Sequence, residues 1–154
     1  MVIGIIGFGF IGRSIAHAFG NDNEILYYSL EEKNCEIDEM SLKSDFIFLA
    51  LPTPMDINSG ECDLSIINSR LDELDRLKYK GVVVIKSTIP PGSCREFDKK
   101  YKLRIVHSPE FLTARSAKLD FINSTRFIFG GVIKDTDKVE KLYRTRFPYT
   151  PVIK

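Results

Sequence analysis

Short apolar runs alternate with amphipathic stretches along the whole chain. Val2 to Ile6 is continuous and apolar, the mark of a buried strand. Ile11, Ile15, Ala18 and Phe19 then fall at i, i+4, i+7 and i+8, which predicts a helix that Gly20 ends. Glu24 to Leu30 reads as a second strand, and Glu31 to Ser44 as a short polar segment. Phe46 to Leu51 is a third strand running into Pro52. Leu64, Ile67, Leu71, Leu74 and Lys78 step along one helix face, and Gly81 precedes a strand over Val82 to Ile85. Pro90-Pro91-Gly92 turns the chain into the next helix, and Leu103 to Val106 is a further strand. Arg126 to Phe129 followed by Gly130-Gly131 gives a strand and a turn. Val139, Leu142, Tyr143 and Phe147 mark a last helix, and Pro151-Val152-Ile153 opens one more strand. Repeated β-α units predict an α/β chain, doubly wound around a mainly parallel sheet, with one domain over residues 1–154.

Composition narrows the class. An apolar fraction of 44% and a charged fraction of 28% fit a globular domain able to bury a core. A net charge of +1 supplies no field for nucleic acid or an anionic membrane, so neither is expected as a partner. Lys99, Lys100, Lys102 and Arg104 read as a solvated rim. Cys35, Cys62 and Cys94 are odd in number and form no CxxC pair, which argues against a metal site and for a reducing cytoplasm. Neither an export signal nor a membrane-spanning run is visible after Met1.

The candidate chemistry lies where predicted strands end. Gly7-Phe8-Gly9-Phe10-Ile11-Gly12 follows a strand and opens a helix, the context in which GxGxxG binds a dinucleotide. Its three glycines serve a tight turn, pyrophosphate approach and helix–strand packing, and the helix amino terminus receives the phosphates. This motif predicts a Rossmann-type fold. A carboxylate about 20 residues on would take the adenosine ribose, yet Ser29 stands at that position, with Glu31 two residues later. The serine leaves NADP open, but Glu31 and Glu32 would repel a 2′-phosphate, and NAD is the preferred cofactor. Pro52 and Thr53 close a strand at the carboxyl edge, where turn chemistry and ligand contact are both open. Ser87 and Thr88 end another strand, as cap residues or as hydroxyls offered to a ligand. Glu110, with Phe111 and Leu112, is equally a loop-satisfying acid or a functional one. Cys94 reads as a packing residue, and His17 and His107 as packing or surface residues.

Four blocks appear in one order: the glycine turn, Leu51-Pro52-Thr53-Pro54, Lys86-Ser87-Thr88-Ile89-Pro90-Pro91-Gly92, and Ser108-Pro109-Glu110-Phe111-Leu112-Thr113-Ala114-Arg115-Ser116-Ala117. Together they resemble the amino-terminal, NAD-binding domain of the UDP-glucose/GDP-mannose dehydrogenases, over essentially the whole chain. The resemblance implies that Thr53 lies against the dinucleotide and that Thr88 sits beside the nicotinamide, helping to hold a water or the reacting oxygen. It implies that the backbone of Glu110, Phe111 and Leu112 cradles a nucleotide sugar, UDP-glucose being the family default. Asp120 to Arg126 with Gly130-Gly131 completes the pattern as architecture. The segment from Glu31 to Ser44 is trimmed where many relatives carry a helix. Where relatives place a second glutamate for proton transfer, this chain has Ala114. The family oxidises a sugar C6 alcohol to a carboxylate, as in UDP-glucose to UDP-glucuronate, through a cysteine of a central dimerisation domain. None of Cys35, Cys62 or Cys94 matches that cysteine, and the central and UDP-binding domains are absent from these residues. The expected role is therefore the NAD-binding part of such an enzyme, inactive alone and completed by a separate chain or by a continuation beyond these residues. The alternatives are a stand-alone dinucleotide- or sugar-nucleotide-binding module and a non-catalytic scaffold.

Overall fold

The computed structural model describes residues 1–154. Five strands run parallel in one sheet: β1 (Val2–Ile6), β2 (Glu24–Tyr28), β3 (Phe46–Leu49), β4 (Val82–Ile85) and β5 (Arg104–His107), in the order β2-β1-β3-β4-β5. Two short strands, β6 (Phe127–Ile128) and β8 (Val152–Ile153), pair separately and in parallel. The remaining strand, β7 (Gly130–Gly131), extends the main sheet antiparallel to β5, with Val106 opposite Gly131 and His107 opposite Gly130.

Both faces of the sheet are covered, which is why its strands read as unbroken apolar runs. Side chains alternate along a strand, and in-register pairing turns that alternation into two cores. Ile3, Ile5, Phe46, Phe48, Val82, Val84 and Val106 face one side. They meet α1 (Phe10–Phe19), α5 (Ala117–Ile122) and α6 (Ile133–Arg146). Ile6, Ile47, Leu49, Val83, Ile85 and Ile105 face the other, against α2 (Ile37–Lys43), α3 (Ser65–Arg76) and α4 (Ser93–Lys100). The first core is strongly aromatic. Tyr143 lies edge-on to Phe127 and Phe19, with ring centroids 4.6 and 5.2 Å apart.

The α/β doubly wound expectation is therefore met, with local corrections. The polar stretch from Glu31 to Ser44 is not stripped of structure: Ile37 and Met40 are buried on the two-turn helix α2. Seven residues are too few for helical periodicity to stand out among charges. Gly130-Gly131 is an edge strand rather than a turn, since residues without side chains carry no apolar signal while their backbone still completes a ladder. Strand β2 stops at Tyr28 because Ser29 to Glu32 folds into a turn, and β3 stops at Leu49, ahead of the prolines. Lys78 lies past α3 in a left-handed conformation, φ 56°. Helix α5, which the sequence left unassigned, buries Phe121 against Phe19 at 6.2 Å.

Phe19 is 1% exposed and touches four aromatic rings. Phe19→Ala is predicted to cost about 3–5 kcal/mol in urea unfolding. A loss under about 1 kcal/mol would show that this cluster is not the core's main support.

Candidate functional site

In the order β2-β1-β3 the sheet is built outward in opposite directions from β1, and such a switch point opens a crevice at the carboxyl ends of the strands. The crevice is present here, about 680 Å³ in volume, walled by the ends of β1, β2 and β3 and by the first turns of α3. Gly7 turns the chain at φ 97°, and its N–H donates to the Tyr28 carbonyl at 2.9 Å. A Cβ on Gly7 would lie 2.2 Å from the Ala50 oxygen, and one on Gly12 would lie 2.2 Å from the Gly7 oxygen. No side chain fits at either place. Gly9 differs, because a Cβ there would meet nothing within 4 Å and would project into open space. Helix α1 starts behind Gly9 with no side-chain cap and no acid in its first turn, so its amino-terminal amides have no protein anion to serve.

The β2 side of the crevice is built by a turn. The Ser29 hydroxyl donates to the Glu32 carbonyl at 2.8 Å and accepts from the Glu32 N–H at 3.1 Å. That hydroxyl is thus spent on the turn, whose outer residues Leu30 and Glu31 line the crevice. Glu32 points away and pairs with Arg13. Phe8 stacks on Tyr27, with centroids 4.0 Å apart, and carries the Arg13 guanidinium over its other face. Leu51 and Pro52 form the opposite wall with Ser65, Ile66, Ser69 and Arg70. The α3 residues and Leu30 were not legible as site residues. The one available signal was Ile66, an apolar position outside the buried Ile67, Leu71 and Leu74 stripe.

Two strand ends are stitched together beside this crevice. Ser87 is buried, and its hydroxyl accepts from the Leu51 N–H at 2.9 Å. The Thr53 hydroxyl donates to the Thr88 carbonyl at 2.7 Å, and the Thr88 side chain is exposed. His107 ends β5 with Nε2 3.3 Å from the Ser87 carbonyl, and burial holds its pKa below the usual value. Thr53, Ser87 and Thr88 do not line this crevice; Phe10 is exposed at the start of α1, and Ile11 packs inward.

A second cleft, about 280 Å³, opens where β4 and β5 end. Glu110, Phe111 and Leu112 line it, and a Glu110 carboxylate oxygen accepts from the Leu112 N–H at 2.7 Å. Arg126 reaches over the Phe111 ring, 5.2 Å from its centroid. Lys86 lies at the floor with only 2% of its surface exposed. Burial pulls its pKa down to about 7, against the pull of Glu110. The predicted site residues therefore divide: Gly7, Phe8, Gly9, Ser29 and Pro52 surround one cleft, and Glu110 to Leu112 the other.

Residues 30–147 match the NAD binding domain of the UDP-glucose/GDP-mannose dehydrogenase family. UDP-glucose 6-dehydrogenase of Campylobacter jejuni is 28% identical over 163 aligned positions, which take in 84% of this chain and 42% of that protein. A GDP-mannose dehydrogenase from Pseudomonas aeruginosa superposes with a TM-score of 0.81 at 20% identity, covering 99% of this chain and 46% of the other. A UDP-glucose dehydrogenase from Pyrobaculum islandicum gives 0.82 at 18% identity, covering 99% and 45%. The chain thus spans less than half the length of each of these proteins. No helix is long and apolar enough to cross a membrane.

Ser87→Ala would leave the half-buried Leu51 N–H without its partner. It is predicted to lower stability by about 1–3 kcal/mol in urea unfolding. An unchanged midpoint would show that the strand ends are held by other means.

Proposed function

The chain belongs to the UDP-glucose/GDP-mannose dehydrogenase family, and on that premise we propose that it is the NAD-holding part of a nucleotide-sugar 6-dehydrogenase. The observation that carries this reading is the open space at Gly9, between a Gly7 turn that tolerates no side chain and a helix terminus with no acid. A pyrophosphate fits that space, with the α1 amides as donors and the helix dipole favouring its charge. Glu31, at the tip of the Ser29 turn, takes the adenosine ribose hydroxyls in place of an acid at the end of β2. Leu30, Pro52 and Ile66 give the adenine an apolar wall. The nicotinamide end runs toward Thr53 and Thr88, which the Thr53–Thr88 hydrogen bond keeps together.

When bound, NAD supplies the hydride acceptor for oxidation of a primary alcohol. In this reading Glu110 to Leu112 present the second cleft to the nucleotide sugar, with UDP-glucose the leading candidate. Thr88 holds a water or the reacting oxygen through a hydroxyl that both donates and accepts. Capture of the aldehyde on a cysteine needs an accessible thiolate. Cys35 is buried with its thiol pushed up by burial, and Cys94 is pushed up to about 11 for the same reason. These residues are therefore proposed to bind NAD without turnover until a cysteine from outside them is brought to the site. Ala114, exposed where a carboxylate would move protons, favours one second reading: a module that binds these ligands and does not react.

Two titrations test the cofactor assignment. Gly9→Val is predicted to abolish NAD binding by calorimetry while leaving the circular dichroism spectrum intact, since the added side chain enters ligand space only. Unchanged affinity in that folded variant would sink the nucleotide reading. Glu31→Gln is predicted to weaken NAD by about 1.5–3 kcal/mol, roughly 12- to 140-fold in Kd, as charge-assisted bonds to the ribose are lost. Equal affinities would return the ribose to another group.

A further inference from the structure

Lys86 is the least expected residue in the molecule. It continues the buried Val82-Val83-Val84-Ile85 run at the end of β4. Strand alternation sends its side chain, with Val82 and Val84, toward the face covered by α1, α5 and α6. There the amine lies over the Phe121 ring, 5.8 Å from its centroid. A methionine or leucine would fill that space without placing an ammonium ion out of water. The amine instead donates to the Ser108 hydroxyl at 3.1 Å and lies 3.5 Å from the Pro109 carbonyl. Ser108 is itself 1% exposed. The segment that these bonds hold continues directly into Glu110 and Leu112, which wall the second cleft.

We propose that Lys86 is a positioning residue for the Ser108–Leu112 segment: its ammonium grips the segment from beneath and faces Glu110, giving the cleft wall one arrangement when Lys86 is charged and another when it is neutral. The proposal rests on the reading that this wall receives the nucleotide sugar. It makes ligand reception on that side depend on a proton held below the surface.

The groups facing Lys86 make its proton separable from the others. Glu110 comes from the segment itself, Asp120 from α5, Arg126 from the chain between α5 and β6, His107 from the end of β5 and Tyr143 from α6. Asp120 is kept ionised by the Thr113 hydroxyl and N–H and by the Ser116 hydroxyl, which hold its pKa below the usual range. Burial pushes the Tyr143 phenol well above its usual value. His107 is drawn below its usual value by burial and, further, by the charge of Lys86. Lys86 is brought by burial to about 7, between the histidine and the phenol. Its usual value is near 10.5, so at this residue the folded chain holds fewer protons than the unfolded chain between about pH 7 and 10.5. Wild-type stability should then rise with pH across that window, and a chain lacking Lys86 should lack that rise.

The test is a pH titration, 5.5 to 9.5, of the isotope-labelled 154-residue chain by NMR, following the Lys86 side chain and the Ser108, Glu110 and Leu112 amides. The expected result is one transition near pH 7 shared by the amine and all three amides, absent in Lys86→Met. In Glu110→Gln the transition should move to lower pH, because Glu110 favours the charged amine. Amides that stay flat while Lys86 titrates, or a transition that survives in Lys86→Met, would overturn the proposal. If Lys86→Met does not fold, Glu110→Gln decides alone, and an unmoved midpoint overturns it. If it folds, urea midpoints rising in parallel with wild type from pH 7 to 9.5 count against it equally. NAD affinity measured on the same sample separates the two ideas. A normal transition without NAD binding removes the dinucleotide reading and leaves the role of Lys86 standing.

Discussion

The close approach at the end of β1 is the constraint on which the other features depend. Gly7 passes beneath the Ala50 carbonyl, and Gly12 rests on the Gly7 carbonyl; each contact leaves no room for a Cβ. The first contact brings the ends of β1 and β3 together. The second sets α1 against β1, so that Ile15, Ala18 and Phe19 reach the aromatic core. With both fixed, the crevice between the β2 turn and the α3 wall has its shape, and the space beyond Gly9 stays clear. Packing and the open space at Gly9 are thus two results of one backbone geometry.

The carboxyl edge then divides its polar groups between structure and chemistry. Ser29, Ser87 and Glu32 spend their side chains on the turn, the strand stitch and the Arg13 pair. Each is satisfied within the protein, as buried and half-buried polar groups usually are. Glu31 and Thr88 remain exposed at the surface. In the second cleft the same economy fails at one point. Lys86 is buried with partial hydrogen bonding and a carboxylate nearby, in a place where an apolar side chain would serve packing better. A polar group kept under such conditions points to a role outside the core.

Legibility in the sequence followed signal strength. Strands such as Val82–Ile85 and the helix stripe of Ile67, Leu71 and Leu74 were plain, because burial on one or two faces writes itself into hydrophobic period. Helix α2 and strand β7 were not plain. One is seven residues among charges, and the other is two glycines whose role is all backbone. The glycine turn was readable because steric demands that only glycine meets fix Gly7 and Gly12 at a set spacing after a strand. The α3 wall of the crevice was not, since Ser65, Ser69 and Arg70 look like any solvated helix face until the fold brings them opposite Leu30 and Glu31.

By itself, then, the sequence determined the α/β class, the two-sided burial of the sheet and the position of the glycine turn. All three depend on local periodicity or on steric demands that only glycine meets. The tertiary structure alone decided which polar side chains are free. Ser29 stood where a ribose acceptor is expected and Ser87 was open as a cap or a ligand hydroxyl; their hydrogen-bond partners lie three and thirty-six residues away, in a turn and in the chain just past β3. Lys86 read as one letter of a strand-end motif, yet its burial and its contact with the Ser108 segment arise from strand pairing across twenty-two residues. Hydrogen bonds and desolvation depend on distance in space, which residue spacing along the chain does not encode.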